Sequence, residues 1–352
     1  MLGSEWIALD SIDDWAGTPQ NEAGRKVVYF IQQWIKGKQA FTYRTSGSTG
    51  PPKSIVFSRA QLEASAGITI NRLELQPGMK ALVCLDTDFV AGSLMLVRGL
   101  VGEMDLIIRP PSSNPLEDIG EPIDFAAFVP LQVSTLLANS RDALNRISTV
   151  IIGGTALSPS LSKELASMPG KYFATYGMTE TLTHVALQRL NGPDRQSTFH
   201  LLPGFSAETD KRGCIIIRAK HLGEATVLTN DIAEFISPTE FRILGRIDNI
   251  INSGGYKIHT DRVEEAIYQE LQNLGLSQRF FLFGKPDDQL GERVCLLMES
   301  DPVGEIAQAA VIKGLKGLLQ KYELPKEIFY LKRFKETPTQ KIDRKATIQL
   351  LG

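Results

Sequence analysis

Short apolar runs alternate with amphipathic stretches from residue 80 onward. The runs are rich in β-branched residues and predict buried strands at residues 80–85, 105–108, 125–129 and 149–152. The stretches between them predict helices at residues 90–100, 132–139 and 159–168. This alternation predicts a layered α/β domain with parallel strands, which bind ligands at their carboxyl ends. Gly153-Gly154 and Tyr176-Gly177 directly follow strand runs and should lie at that edge.

The pattern changes towards the C-terminus. A β-rich segment begins at Cys214 and reaches about residue 244. Beyond it, Asp261 is expected to cap a helix with an apolar stripe, and further elements follow: strands at 279–283, 293–298 and 327–331 and a helix at 305–322. We therefore expect a large N-terminal layered α/β domain with a β-rich segment, residues 1–247, and a small α+β domain, residues 248–352.

Composition excludes several classes of protein. The 352 residues are 43% hydrophobic, too many for a disordered chain, and the net charge of −2 gives no reason to expect nucleic acid as a partner. The longest apolar run, 89–102, contains Arg98 and is too short for membrane insertion, and residues 1–6 lack the pattern of a signal peptide. The three cysteines have no metal-binding spacing. We expect a cytoplasmic protein. The sequence does not decide whether it forms a homodimer.

One loop is the most informative segment of the chain. Residues 45–53 carry glycines, hydroxyls and a lysine in close succession: Thr45, Ser46, Gly47, Ser48, Thr49, Gly50 and Lys53. Glycine allows consecutive main-chain N–H groups to face one point, so the segment can cradle phosphate oxygens. Pro51-Pro52 exclude the P-loop, which needs a helix to begin at its lysine. A polar surface loop is the alternative interpretation.

The order of residues in this loop resembles the phosphate loop of the adenylate-forming superfamily, which comprises acyl-CoA synthetases, adenylation domains and luciferases. Three further segments resemble motifs of that superfamily in the same order: 176–181, 229–231 with 244–258, and 338–345. The resemblance covers roughly residues 40 to 350. Only 44 residues precede the loop, so we expect an N-terminal subdomain to be missing or reduced.

The resemblance implies roles in binding ATP and Mg²⁺. Tyr176, with Gly177, would lie against adenine, Thr179 would bind the α-phosphate region, and Glu180 would help to hold Mg²⁺. A carboxylate suits a hard cation that bridges phosphates. The phosphate loop would hold the β- and γ-phosphates of ATP. Without the resemblance, residues 176–181 would be interpreted as an ordinary turn after a strand.

The later motifs are implied to serve the ribose and the two reaction steps. Asp231 and Arg246 would contact the ribose, and Asp248 would be the hinge about which a mobile C-terminal domain rotates. The Gly254-Gly255 turn would enter the site for thioester formation. Lys341 would bridge the substrate carboxylate and the α-phosphate during adenylation. An Asn-Asp turn, a β-hairpin and a basic tail are the respective structural alternatives. Asn252 and Gln340 depart from the usual lysine and glycine of the superfamily.

The acyl substrate is indicated by Arg98, which lies within an apolar helix. Such a charge must reach the surface, pair, or face a cavity, where it could bind a second carboxylate. Phe89, the Gly153-Gly154 pair and His184 could line the same pocket. In its short length, in the Tyr-Gly-Met-Thr-Glu-Thr form of residues 176–181 and in Arg98, the chain is similar to the o-succinylbenzoate–CoA ligases of menaquinone biosynthesis.

The implied activity is that of an acid–thiol ligase that forms an acyl-adenylate from ATP and then a thioester with coenzyme A. Alternatives are another acyl- or aryl-CoA ligase, an adenylation enzyme that loads a carrier protein, and a non-catalytic nucleotide-binding module.

Overall fold

The computed structural model describes residue 12 and residues 21–44, 53–223, 226–276, 278–301, 305–337 and 342–351, with residues 305–309 described by their backbone alone. Helix α1 (Glu22–Ile35) precedes an antiparallel pair of strands, β1 (Ala40–Arg44) and β2 (Ser54–Ser58), in which Arg44 pairs with Ser54. Helix α2 (Arg59–Leu73) begins in a capping box, because the Ser58 hydroxyl accepts from the Gln61 N–H and the Gln61 side chain accepts from the Ser58 N–H.

The parallel half of the large sheet has the predicted strands and helices. The strands are β3 (Lys80–Val83), β4 (Asp105–Ile108), β5 (Ile123–Phe128), β6 (Ile147–Ile152) and β7 (Lys171–Gly177). Helices α3 (Val90–Val101), α4 (Pro130–Asn139), α5 (Arg141–Leu144) and α6 (Pro159–Leu165) connect them. The order β4-β3-β5-β6-β7 is parallel throughout. Strands β3, β5 and β6 are mostly buried, as expected of a sheet covered on both faces, and β4 and β7 are buried in part.

The same sheet continues in antiparallel strands. After β7 come β8 (His184–Arg189), β9 (Phe199–Leu201), β10 (Phe205–Thr209), β11 (Cys214–Ala219), β12 (Val227–Ser237) and β13 (Glu240–Arg246). Together the described strands form an eleven-stranded sheet in the order β10-β11-β12-β13-β9-β8-β7-β6-β5-β3-β4. The β-rich segment predicted after Cys214 therefore extends the parallel sheet, and its strands bring Asp231, with Arg246 paired to it, within reach of the Tyr176 hydroxyl near the end of β7.

A second sheet follows residue 249. It comprises β14 (Ile250–Ser253), β15 (Tyr256–His259), β16 (Phe280–Asp287), β17 (Gly291–Glu299) and β18 (Glu327–Leu331). Helices α7 (Thr260–Asn273) and α8 (Glu305–Leu315) accompany it, and α9 (Arg344–Ile348) follows β18. Ile251, Val263, Ile267, Leu296 and Leu315 form part of a core that is separate from the cores of the large sheet.

Two details of this second sheet differ from the prediction. Asp261 does not cap α7: the helix begins after His259, and the Asp261 carboxylate instead accepts from the main-chain N–H of Arg246 at 3.2 Å. Helix α8 ends at Leu315 rather than near residue 322, since Gly314 and Gly317 lie at its end and glycine disfavours helix continuation.

The described helices contain no segment that is long and apolar enough to cross a membrane. All three cysteines are buried and none is bonded to another.

Candidate active site

The carboxyl ends of β6 and β7 hold two of the predicted glycines in close contact with neighbouring strands. The Gly153 N–H donates to the Phe128 carbonyl at 3.1 Å, and a Cβ at Gly153 would lie 2.3 Å from the Thr175 hydroxyl. A Cβ at Gly177 would lie 2.3 Å from the Thr183 carbonyl oxygen, which is main chain and cannot swing aside. Gly154, with φ +95°, is exposed beside them. This edge therefore requires glycine where we expected the ligand to approach.

The turn between β7 and β8 carries Thr179 and Glu180. One 3₁₀ turn spans Thr179–Thr181, and Thr181 anchors it by accepting from the Met178 N–H at 3.0 Å and donating to the Thr183 carbonyl at 2.7 Å. Thr179 is half-buried and Glu180 is exposed. The anchored turn presents both side chains at the edge of the sheet.

Glu180 offers one exposed carboxylate at this edge of the sheet. Within the described part of the chain, no three His, Cys, Asp or Glu side chains group together as a metal-binding cluster. Magnesium commonly uses one or two protein carboxylates and completes its shell with phosphate oxygens and water. The single carboxylate of Glu180 suits that mode of binding.

A chain of polar contacts joins Tyr176 to the segment after β13. The Tyr176 hydroxyl donates to Asp231 Oδ2 at 2.8 Å, and Arg246 Nη1 lies 2.9 Å from Asp231 Oδ1. Arg246 Nη2 lies 2.7 Å from Asp248, whose carboxylate also accepts from Asn230 Nδ2 at 3.0 Å. Burial and the adjacent Asp231 carboxylate raise the pKa of Tyr176, so its hydroxyl stays protonated and donates. Four residues predicted from two separate segments of the chain are thus joined by one series of contacts.

The Gly254-Gly255 pair forms the hairpin turn between β14 and β15. Both glycines have positive φ, +57° and +85°, as a two-residue hairpin turn requires. The Gly254 N–H donates to the Leu290 carbonyl at 2.8 Å. The turn is exposed and belongs to the second sheet.

Arg98 is buried in α3 without an acidic partner in the described part of the chain. Its exposure is 2%, its Nη2 donates to the Thr183 hydroxyl at 2.9 Å, and its Nη1 lies 3.6 Å from the Met95 sulfur. Its Nε has no hydrogen-bond partner there. Burial lowers the pKa of Arg98 to about 9. Arg98 therefore does not reach the surface, and one of the three placements considered from the sequence is excluded.

His184 is connected to Arg98 through Thr183. Its Nδ1 is 3.4 Å from the Thr183 hydroxyl and its Nε2 is 3.1 Å from the Thr69 hydroxyl. Burial and the Arg98 charge lower the pKa of His184 well below its ordinary value, so the ring is neutral. Phe89, also predicted for the acyl pocket, is half-buried at the start of α3.

Sequence reasoning missed Thr69, whose buried hydroxyl reaches His184 from α2, and Ser65, whose main-chain carbonyl accepts from Thr69. The signal was their four-residue spacing, which places both on one face of the helix. Other predicted residues, Thr45, Ser46, Gly47, Ser48, Thr49, Gly50 and Lys341, lie outside the described residues. Lys53 is exposed directly before β2.

Comparison with known proteins identifies the family. A family model described as AMP-binding enzyme matches residues 14–206. A solved structure of an acyl-CoA synthetase (AMP-forming)/AMP-acid ligase II-like protein from Dyadobacter fermentans is 36% identical, with a TM-score of 0.64 and 99% of each chain covered. The chain therefore belongs to the family of AMP-binding, adenylate-forming enzymes.

More distant relatives are named for a particular acid. A 2-succinylbenzoate–CoA ligase of Salmonella typhimurium is 24% identical over 307 residues, which cover 83% of this chain and 65% of that protein. The chain thus spans less than two thirds of the length of this relative. The o-succinylbenzoate CoA synthetase of Bacillus subtilis, solved with its acyl-adenylate, shares the fold at 18% identity and a TM-score of 0.74, covering 86% of this chain and 68% of that one.

Proposed function

We propose that this protein is an ATP-dependent acid–CoA ligase that acts through an acyl-adenylate on an aromatic acid with a second carboxylate. o-Succinylbenzoate is the substrate that we propose, which would place the enzyme in menaquinone biosynthesis in the cytoplasm. Family membership and the contacts of Tyr176, Asp231 and Arg246 support the adenylate-forming class.

The buried Arg98 is the single observation that carries the choice of acid. A guanidinium taken out of water without a carboxylate loses much of its solvation, and this costs free energy unless a partner arrives. A second carboxylate on the substrate would supply that partner at Nε, the one guanidinium nitrogen that has no hydrogen-bond partner among the described residues. The carboxylate and the guanidinium would then form a charge-assisted hydrogen bond.

The remaining residues divide between the two reaction steps that we propose. In the first step, the phosphate loop, Thr179 and Lys341 would hold the phosphates while the acid attacks the α-phosphate and pyrophosphate leaves. Glu180 would contribute to Mg²⁺ binding, and the ion would supply charge neutralisation at the phosphates when bound. In the second step, the thiol of CoA would displace AMP, with Asp248 as the hinge and Gly254-Gly255 approaching the thioester-forming site.

Asp231 is suited to bind a diol, because two donors already hold its carboxylate in place and leave further lone pairs on both oxygens. Tyr176 donates to one oxygen and Arg246 to the other, and the side chain is only 12% exposed. A carboxylate has about four lone-pair positions, so it can accept from ribose hydroxyls while it keeps both contacts. The network would orient Asp231 before the nucleotide binds.

A panel of acids tests the proposal. The assay measures AMP and pyrophosphate with ATP, Mg²⁺ and each acid, with and without CoA. We expect o-succinylbenzoate to be preferred over each of the two monoacids made by removing one of its carboxyl groups. Formation of ADP and phosphate would refute the adenylate-forming reaction. AMP formation that ends in transfer to a carrier protein, and not to CoA, would assign the enzyme to carrier loading.

A substitution at Arg98 tests the substrate class. Arg98→Met should raise the KM for the diacid roughly tenfold to a hundredfold, because it removes a charged hydrogen bond. The KM for ATP should change little, and so should the KM for the monoacid that keeps the carboxyl group that is adenylated. If Arg98→Met leaves the diacid KM unchanged, the second-carboxylate proposal is wrong, although the adenylate-forming activity would stand.

A further inference from the structure

A line of polar groups, buried except for the half-buried Thr183, runs from the Arg98 guanidinium to the backbone of α2. Arg98 Nη2 is 2.9 Å from the Thr183 hydroxyl, which is 3.4 Å from His184 Nδ1. His184 Nε2 is 3.1 Å from the Thr69 hydroxyl, which is 3.4 Å from the Ser65 carbonyl. These residues come from three elements, α2, α3 and the start of β8, so the line joins parts of the chain that are distant in sequence.

The chemistry of the groups gives this line one direction. Because Thr69 uses its one proton to donate to the Ser65 carbonyl, its oxygen accepts from His184 Nε2. Nδ1 of the neutral ring therefore accepts from the Thr183 hydroxyl, whose oxygen accepts from Arg98 Nη2. A neutral imidazole that accepts at Nδ1 carries its proton at Nε2 and donates to Thr69. Thr69 in turn donates to the Ser65 carbonyl. Each hydroxyl therefore accepts one hydrogen bond and donates one, and the line ends at a main-chain acceptor that helix α2 holds in place.

We infer that Thr183, His184 and Thr69 are positioning residues that hold the Arg98 guanidinium in one orientation through this line of hydrogen bonds. The inference rests on the proposed function, in which Arg98 binds the second carboxylate of the acid. With Nη2 hydrogen-bonded to Thr183, the guanidinium keeps one orientation, in which Nε, without a partner among the described residues, is available to the substrate. His184 acts through Thr183 and Arg98 and does not itself touch the acid.

The inference and a purely structural role predict different effects of substitution on the KM values. If the residues serve only to fill the core, their substitution should affect ATP, diacid and monoacid alike. If they orient Arg98, the loss should appear in the KM of the diacid and nowhere else. It should also vanish when Arg98 is already absent, since contacts that act through one residue are not additive.

Two matched pairs of variants test the line. Thr183→Val removes the hydroxyl at nearly constant shape, whereas Thr183→Ser keeps it. His184→Asn keeps a polar atom near Nδ1, next to Thr183, whereas His184→Gln keeps one near Nε2, next to Thr69. We expect Thr183→Val to raise the diacid KM roughly fivefold to tenfold, less than Arg98→Met does, because the charged contact with the acid remains and only the equivalent of one ordinary hydrogen bond is lost. Thr183→Ser should restore the wild-type value, and His184→Asn should be less impaired than His184→Gln.

The same variants are measured in the Arg98→Met background and with the monoacid. The inference expects no additional rise in the diacid KM there, and no change for the monoacid in either background. It is overturned if Thr183→Val and Thr183→Ser have the same diacid KM, or if Thr183→Val raises the KM of both acids equally. A diacid KM that responds to Arg98→Met but not to Thr183→Val would overturn this inference alone. A diacid KM that responds to neither would overturn the proposed substrate class as well.

Discussion

Replacing Arg98 should make the folded protein more stable while it weakens diacid binding. Burial lowers the pKa of Arg98 from the ordinary value of arginine to about 9. One pKa unit is worth about 1.4 kcal/mol, so the charged form is disfavoured in the folded state by about 5 kcal/mol. Arg98→Met removes that cost, but it also leaves the Thr183 oxygen without a donor, which costs about 1–3 kcal/mol. The net expectation is a gain of about 2–4 kcal/mol in the free energy of unfolding.

The measurement is urea unfolding at pH 8. The slope of the free energy of unfolding against urea concentration is compared between the two proteins, since an unchanged slope indicates that stability alone has changed. Arg72→Met is the matched control, because Arg72 is exposed near the end of α2. Its effect should stay within about 0.5 kcal/mol. An Arg98→Met protein that is no more stable than the wild type would contradict the reasoning, since it would mean that other contacts compensate the buried charge.

The pH dependence checks the sign of the effect. Between about pH 9 and the ordinary pKa of arginine, the unfolded chain binds more protons at Arg98 than the folded chain does. Stability of the wild type therefore rises with pH in that window relative to Arg98→Met. The difference between the two proteins should be complete below pH 9 and smaller at pH 10. A difference that is the same at pH 8 and pH 10 would show that the charge is not its cause.

Three other substitutions give further expectations. Gly177→Ala should lower the free energy of unfolding by about 1–3 kcal/mol or more, because its Cβ would lie 2.3 Å from the Thr183 carbonyl; an unchanged thermal midpoint would contradict this. Lys341→Ala should slow adenylation about 10²–10³-fold and spare thioester formation from supplied acyl-adenylate, and equal damage to both steps would refute its role. Asp248→Pro should impair CoA transfer more than adenylation because proline fixes φ, whereas normal overall turnover would remove Asp248 as the hinge.

Much of the fold could be predicted because the parallel strands are short, apolar and separated by helices. The helix around Arg98 could also be predicted, since it is apolar on all sides and buried helices have that composition. The hairpin at Gly254-Gly255 follows from two adjacent glycines between short strands. These features depend on local pattern, which the sequence displays directly.

The parts that could not be predicted depend on contacts between distant segments. Thr69 and His184 are 115 residues apart, and no local pattern indicates that they meet. Asp261 looked like a helix cap because of its type, but in the fold it contacts the Arg246 backbone across the boundary between the two sheets. The four residues of the Tyr176 network could be assigned to one ligand only through resemblance. Their mutual hydrogen bonds required the structure.

Arg246 links two events that a kinetic scheme would normally write as separate. One of its nitrogens is held by Asp231 in β12, and the other by Asp248 in the segment that leads to the second sheet. A nucleotide that draws on Asp231 therefore alters the partner of the same guanidinium that restrains this segment. If Asp248 is the hinge proposed above, the rate at which the second sheet reorients should then depend on nucleotide concentration. Occupancy of the ribose site and freedom of the linker would share one guanidinium, so departure of AMP and return to the starting orientation would form a single coupled step.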